Sequence, residues 1–475
     1  MPSVSARRAE WGWLDLSWSP RRFTSEIVLG AEEPFYGIIH ERPIVLEAII
    51  ILNALVYIVT SYANGFIASS STWISKLGYI PAMLLVDPKT VYRIFTAMFT
   101  HADIFHIFFN MYFLYVFGRA VEKTLGHARF LALYLMSGVL AAIFHTVFIY
   151  LQNPADLAIP SVGASGAISG VLGAYMLLYP GTRLTACFFL FIFPLCFEML
   201  AAYYILFWFA VQVLEGSIAF NSNIAFFAHA GGFLAGIALL PLVADRERLR
   251  ILKRLSRSMR LFDIITFLSY QFERRGLSPG TKTVFLTLAG VLLAGTMFAY
   301  IYSASHQGLL AAYTVDWRLG PETGSGMAFV GIVDSHAYPI LMASTPQTQL
   351  VMSLLSEYRL FYNPSLAGQK LVLTPPLARP VDVTLFATLY TRFTLHVEPR
   401  VIEAVFTPSG VLREAYIEAI VVGRGSAALI ADVVLNALAN PVPLLRLMSL
   451  ISLVTVALSI YVVAYRDTEF VVTPE

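Results

Sequence analysis

The sequence predicts an all-α polytopic membrane helix bundle that carries an extracytoplasmic α+β domain, and three observations lead there. Of 475 residues, 57% are hydrophobic and only 13% are charged, where a soluble domain carries about 25% charged residues. The apolar residues gather into eight runs suited to a bilayer core, which takes roughly 20 residues of helix to cross. One long stretch between the last two runs reverts to soluble character. The net charge of +2 offers no field to attract nucleic acid. Two cysteines exclude a disulfide scaffold and a cysteine-rich zinc site; Cys187 and Cys196 share one apolar run, which suits packing or lipid exposure.

The elements follow in order. Residues 1–43 are an N-terminal segment with Arg7, Arg8, Arg21, Arg22 and Arg42 and no apolar core of a cleavable signal peptide. Spans are expected at 44–66, 102–121, 129–151, 164–179, 194–214, 224–243, 283–303 and 444–465. The fourth is short and glycine-rich. Residues 184–193 are apolar, but Pro194 interrupts them, so they read as an extended entry to span five. Between spans one and two, 68–100 is a long loop with a mildly apolar stretch, read either as interfacial or as an ordinary loop. Residues 244–282 form a basic linker, with nine Lys/Arg against four Asp/Glu over 244–280. This linker reads as a positive-inside stop or as a headgroup-binding segment. Basic residues cluster on alternate loops, which puts both termini, 1–43 and 466–475, in the cytoplasm and 305–442 outside. In that outer domain, 381–397 reads as strand, and 348–361 and 426–439 read as helices, Ser426 capping the second. His306, His336 and His396 are scattered there without metal-site spacing.

Polar groups inside spans are costly and therefore candidates for function. Three sets stand out. Gly163-Ala164-Ser165-Gly166 opens span four. It reads as a serine nucleophile at a helix N-terminus, or as a small-residue packing face continued by Gly170 and Gly173. Ala228-His229-Ala230-Gly231-Gly232, followed by Gly236, opens span six. His229 lies one turn outward of Gly232 on the glycine face, as a base or as a hydrogen-bonded core group. His101, His106 and Asn110 stand near the outer end of span two. His106 and Asn110 share a helix face and suit an oxyanion site, an interhelical clamp or a gating histidine. All four groups, Ser165, His229, His106 and Asn110, fall within about two turns of one membrane face. Together they make the set acyl transfer needs.

With those residues assembled, the sequence resembles the rhomboid family of intramembrane serine proteases. Tyr92-Arg93 with Phe95-Thr96 is similar to a Trp-Arg motif of the first loop. His101, His106 and Asn110-Met111 match the second-span motif, Glu122 a glutamate at its inner end, and Leu135-Met136-Ser137-Gly138 the third-span pattern. The glycine-flanked Ser165 and His229 match the nucleophile and base motifs. The resemblance covers 44–243, a six-span rhomboid-like core to which two spans are added. It implies Ser165 as nucleophile and His229 as base, with His106, Asn110 and the Ser165 N–H binding the oxyanion. Gly163, Gly166, Gly232, Gly236, His101, Arg93 and Glu122 would support the site. The family often places an aromatic four residues after the serine; here that residue is Ser169, so His229 is expected to be held by Phe226 or Phe227 or by a hydrogen bond. The resemblance implies no cofactor and no metal. Expected partners are transmembrane protein substrates, cut near the external face of a cell membrane, and membrane lipids; no nucleic acid is expected, and the oligomeric state is left open. Two other readings compete. One is a non-catalytic rhomboid-like protein that binds client helices. The other is a transporter or metal site on the intramembrane histidines, although Glu47 and Glu198, the mid-depth carboxylates, fit no ligand pattern with them.

Overall fold

The structure is a computed structural model that describes residues 27–31, 42–190, 193–218, 225–261, 276–305, 308–333, 336–340, 345–386, 392–422 and 426–473. Arg7, Arg8, Arg21 and Arg22, residues 262–275 of the basic linker and His306 lie outside these residues.

Among the described residues, seven helices are long and apolar enough to cross a bilayer. They are α1 (Ile44–Ser61, running on to Asn64), α5 (Ile104–Leu125), α6 (His127–Gln152), α8 (Ala201–Ile218), α9 (Phe226–Val243), α11 (Pro279–Ser305) and α13 (Val442–Tyr461, running on to Phe470). The shorter apolar helix α7 (Ser165–Leu178) stands in their midst, every residue from Ala167 to Leu178 buried. A bilayer removes the usual reason for apolar residues to face inward, so burial here records helix–helix packing instead. Phe117, Phe130, Tyr134, Phe144, Tyr175, Phe209, Phe233 and Phe285 fill the centre. The loop between α1 and α5 is ordered as three short helices, α2 (Ser71–Leu77), α3 (Pro81–Val86) and α4 (Tyr92–Met98). A basic amphipathic helix, α10 (Arg246–Leu261), follows α9. It sits at the bundle end remote from Ser165, where the Arg248 guanidinium donates to the Lys123 carbonyl at the end of α5.

Span five differs from the expected 194–214. Residues Arg183–Leu190 (β2) and Phe193–Leu200 (β3) form an antiparallel hairpin, joined by β1 (Ile27–Ala31) as a third strand, and the helix begins only at Ala201. Pro194 cannot donate to a helical ladder, and the aromatic-rich stretch around it satisfies its backbone by pairing across the hairpin instead. Cys187 and Cys196 are register partners in that hairpin, and Cys196 is disulfide-bonded, so it is not a free packing cysteine.

Between α11 and α13 the described residues form one eight-stranded antiparallel sheet. Its strands are β4 (Gly308–Leu319), β5 (Glu322–Val333), β6 (His336–Ile340), β7 (Lys370–Leu373), β8 (Val381–Phe386), β9 (Arg392–Phe406), β10 (Leu412–Val422) and β11 (Ser426–Ala439). Their order is β6-β5-β4-β11-β10-β9-β7, with β8 also pairing to β9. Helix α12 (Pro346–Glu357), capped by Thr345, packs on one face, at the position expected for the first helix of this domain. The strand reading of 381–397 holds over β8 and the start of β9. The helix expected at 426–439 is instead β11. There Leu429, Ala431 and Val433 are buried while Asp432 and Val434 are exposed, the period-two pattern of a strand. Its Ala and Leu content suits a helix, but the unpaired edges of β4 and β10 on either side supply partners and override that preference. Strand β4 shows how the sheet meets the bundle. Ala311, Tyr313 and Val315 face the α12 core, whereas Leu310 and Ala312 belong with Phe329 to the core shared with the helices. Strands β4 and β11 rest on α3, and β6 rests on the 3-10 turn Pro154–Ala158. Tyr79, just before α3, pairs with Ser161, close to Ser165, so the sheet sits at the same end of the bundle as that serine.

Candidate active site

Ser165 is the first residue of α7, and the backbone before it is bent to suit. Gly163 adopts φ +120°, open to glycine and strained for other residues, and its N–H donates to the Ala97 carbonyl at 2.9 Å. A Cβ on Gly163 would stand 2.6 Å from His106 Nε2 and 3.7 Å from Ser165 Oγ. That one vacant spot, kept open by the missing side chain, is thus faced by both atoms. Helix α7 has no side-chain N-cap, so the N–H groups of its first turn are left to whatever occupies the same mouth.

His229 stands in the first turn of α9. Its Nε2 lies 2.8 Å from Ser165 Oγ and its Nδ1 lies 2.8 Å from Gln212 Oε1 on α8. The expected aromatic partners do not hold it. Phe227 stacks on Phe148, with ring centroids 4.1 Å apart, and no ring contact joins Phe226 to His229 among the described residues. The ring facing His229 is Trp208 of α8, at 6.1 Å and 34°. Ser169, where the family often has an aromatic, donates its hydroxyl to the Ser165 carbonyl at 2.6 Å and packs beside Gly232.

On α5, Asp103 caps the helix by accepting the His106 N–H, and His106 Nδ1 accepts the Ala102 N–H at 3.4 Å. With Nδ1 accepting, the ring proton belongs on Nε2, the nitrogen directed at the vacant spot. Asn110 donates one amide hydrogen to the His106 carbonyl and keeps a second in reserve. His101 is fully buried; its Nε2 accepts the Ala164 N–H at 3.4 Å, and its ring meets that of His106 edge-on at 5.1 Å. Burial pushes the His101 imidazole down to about 3, which keeps it neutral and able to accept.

The glycines make this geometry possible. A Cβ on Gly232 would run into the Gly166 carbonyl oxygen, and one on Gly236 into that of Gly170. A Cβ on Gly166 would lie 2.8 Å from that of Ala141, and one on Gly170 would strike the Ser137 hydroxyl. Helices α7 and α9 therefore meet backbone to backbone, as small residues permit. The packing-face reading of both motifs is correct, and it is also what holds Ser165 and His229 together. Two of the residues expected to support the site lie away from Ser165. Arg93 donates to the carbonyls of Ser75 (2.7 Å) and Gly78 (3.0 Å), tying α4 to the C-terminal end of α2. Glu122, at the far end of α5, accepts the N–H groups of Val45 and Leu46 and faces His127 Nδ1 at 2.6 Å, so it caps the start of α1.

Gln212 and Trp208 were not among the residues singled out in the sequence. Gln212 had a signal: it is an amide in the middle of an apolar run, and the rule that marks intramembrane histidines applies to it equally. Trp208 had none, because an aromatic in a span is ordinary. Among the described residues no three His, Cys, Asp or Glu side chains gather as a metal set.

Residues 88–246 match the Rhomboid domain family model, so this part of the chain carries a Rhomboid domain. It is 33% identical over 176 residues to RHOMBOID-like protein 6, mitochondrial, of Arabidopsis thaliana, covering 37% of this chain and 51% of that protein. It is 37% identical over 87 residues to the putative rhomboid protease YdcA of Bacillus subtilis, covering 18% of this chain and 41% of the relative. A third relative, Inactive RHOMBOID-like protein 8 of Arabidopsis thaliana, is 28% identical over 237 residues, covering 49% of this chain and 62% of its own length. The chain thus spans about half the length of the curated relatives it matches.

Proposed function

We propose that this protein is an intramembrane serine endopeptidase that cleaves transmembrane helices through a Ser165–His229 dyad. The observation that carries the reading is the 2.8 Å contact between Ser165 Oγ and His229 Nε2, two groups 64 residues apart on glycine-locked helices. In the reaction, Ser165 Oγ attacks a peptide carbonyl carbon while its proton passes to His229 Nε2. The carbonyl oxygen becomes an oxyanion at the vacant spot beside Gly163, where His106 Nε2–H, the free Asn110 amide hydrogen and the Ser165 N–H donate to it. The intermediate collapses, His229 returns the proton to the leaving nitrogen, and the C–N bond breaks. Water, activated by the same imidazole, then hydrolyses the acyl ester and regenerates Ser165.

A helical substrate hides its carbonyls, so it must unwind before attack, and Gly, Ala or Pro near the scissile bond favours this. Entry between α5 and α8 suits such a substrate. These helices make at most marginal contact among the described residues, and both present large exposed side chains, Phe105 and Phe108 on one and Tyr203, Phe207 and Leu214 on the other. The same proposal takes 44–243 as the protease core, the sheet domain as external and both termini as cytoplasmic in a cell membrane, on the charge asymmetry of the loops. Located at the Ser165 end, the sheet domain stands where it can screen substrates before they reach the mouth.

The test is cleavage of a reporter span by the full chain in liposomes. Ser165→Ala and His229→Ala are each expected to abolish it without loss of folding, and a fluorophosphonate should label the wild type only. Normal cleavage by Ser165→Ala sinks the reading. A folded wild type that neither cleaves nor labels supports the non-catalytic alternative, which the name of the inactive plant relative keeps in view.

A further inference from the structure

We infer that Gln212 is a positioning residue of the dyad, and that through it the competence of His229 depends on how α8 is seated. The inference rests on the protease reading above. A neutral imidazole carries one N–H. For Nε2 to take the Ser165 proton, that N–H must sit on Nδ1, and a buried Nδ1–H without an acceptor is costly. Gln212 Oε1, 2.8 Å away on a side chain that is itself buried, supplies the acceptor. The opposite amide orientation would present NH2 to Nδ1, force the ring proton onto Nε2 and leave the serine without a base. A carboxamide fixes the tautomer without burying a further charge in the bilayer, where a carboxylate is expensive.

The three groups do not share one support. Ser165 and His229 ride on α7 and α9, whose backbones touch at four glycines, so their separation is fixed by main chain. Gln212 rides on α8, which is held by side chains. Phe209 of α8 stacks on Phe233 of α9 at 4.5 Å, and beyond it on Phe285 of α11 at 6.0 Å. Stacked rings slide where interlocked backbones do not. When α8 moves outward, Ser165 and His229 stay in register while the Nδ1 acceptor leaves, and the imidazole is free to take the wrong tautomer or turn. The dyad is thus armed when α8 is in place and disarmed when it is displaced.

The experiment uses the full chain in liposomes, with a reporter span and a fluorophosphonate probe. Gln212→Leu keeps the bulk and removes the acceptor. It should lower kcat about 10- to 100-fold with KM within about two-fold, and slow probe labelling by a similar factor. Gln212→Glu restores an acceptor oxygen and should recover labelling to within about three-fold of wild type. Wild-type kcat in Gln212→Leu, or a loss that Gln212→Glu does not recover, overturns the positioning role. A double-mutant cycle with Phe285→Leu, which loosens the outer support of α8, addresses the second half. Its loss of rate should vanish in the Gln212→Leu background. An equal loss in both backgrounds, or none in either, removes the dependence on α8. Labelling of the wild type that is absent from Ser165→Ala secures the protease reading in the same preparation, so failure of that reading and failure of this inference are told apart.

Discussion

The bundle brings two helix pairs to one site, and they are built on opposite plans. Helices α7 and α9 meet at glycines so closely that a single added Cβ would strike a facing carbonyl oxygen. Helices α5 and α8, which carry His106, Asn110 and Gln212, barely touch each other and turn large aromatic side chains outward. On the proposed protease reading, chemistry that tolerates errors of only fractions of an ångström sits on the rigid pair, whereas admission of a bulky substrate needs parts that yield. Under that proposal the two pairs divide the labour: one fixes distances, and the other admits the substrate and carries the groups that complete the site.

That contrast can be broken at either pair. The largest effect is expected at the rigid one. Gly236→Leu forces side-chain atoms into the Gly170 backbone, with no flexible neighbour to give way. It should cost upwards of about 3 kcal/mol and remove most folded protein, read as membrane yield and thermal unfolding. Gly163→Ala comes next. Its methyl would fill the vacant spot 2.6 Å from His106 Nε2 and strain φ at +120°. Cleavage should fall about 100-fold or more, while unfolding shifts by about 1–2 kcal/mol. Glu122→Ala leaves the N–H groups of Val45 and Leu46 without their acceptor at the remote end. It is expected to lower stability by about 1–3 kcal/mol while the kcat of the folded fraction holds. The smallest effect is expected at the yielding pair. Phe207→Ala trims a side chain 57% exposed on α8, so stability should change by no more than about 0.5 kcal/mol. KM for a helical substrate should change there, but not the labelling rate of a small probe. A Phe207→Ala variant as damaged as Gly236→Leu would show that α8 is locked after all.

Much of this was legible in the chain. The serine, the histidines and the paired glycines announced themselves because polar or very small residues inside apolar runs need a reason. The strand reading of 381–397 holds at 381–386 and 392–397, with 387–391 outside the described residues, and the helix expected at 348–361 lies at Pro346–Glu357, ending four residues early. Other features were not legible. Residues 194–200 and 426–439 look helical by content, and only their neighbours made them strands: a facing hairpin arm in one case, the open edges of β4 and β10 in the other. Gln212 was overlooked because its meaning is relational. A lone amide in a span says nothing about which imidazole it meets.

What the sequence by itself determined is therefore the inventory and its spacing along each helix: eight apolar helices, a serine and a histidine at helix starts, glycines one turn apart, and a polar face on α5. Helical periodicity is local, so a run of residues is enough to specify it. What only the tertiary structure decided is which faces meet: that Gly163 leaves room opposite His106, that Trp208 rather than Phe227 lies by the imidazole, that Gln212 holds Nδ1, and that the sheet comes to rest at the Ser165 end. Those are contacts between segments distant in the chain, set by the mutual fit of surfaces that no single segment encodes.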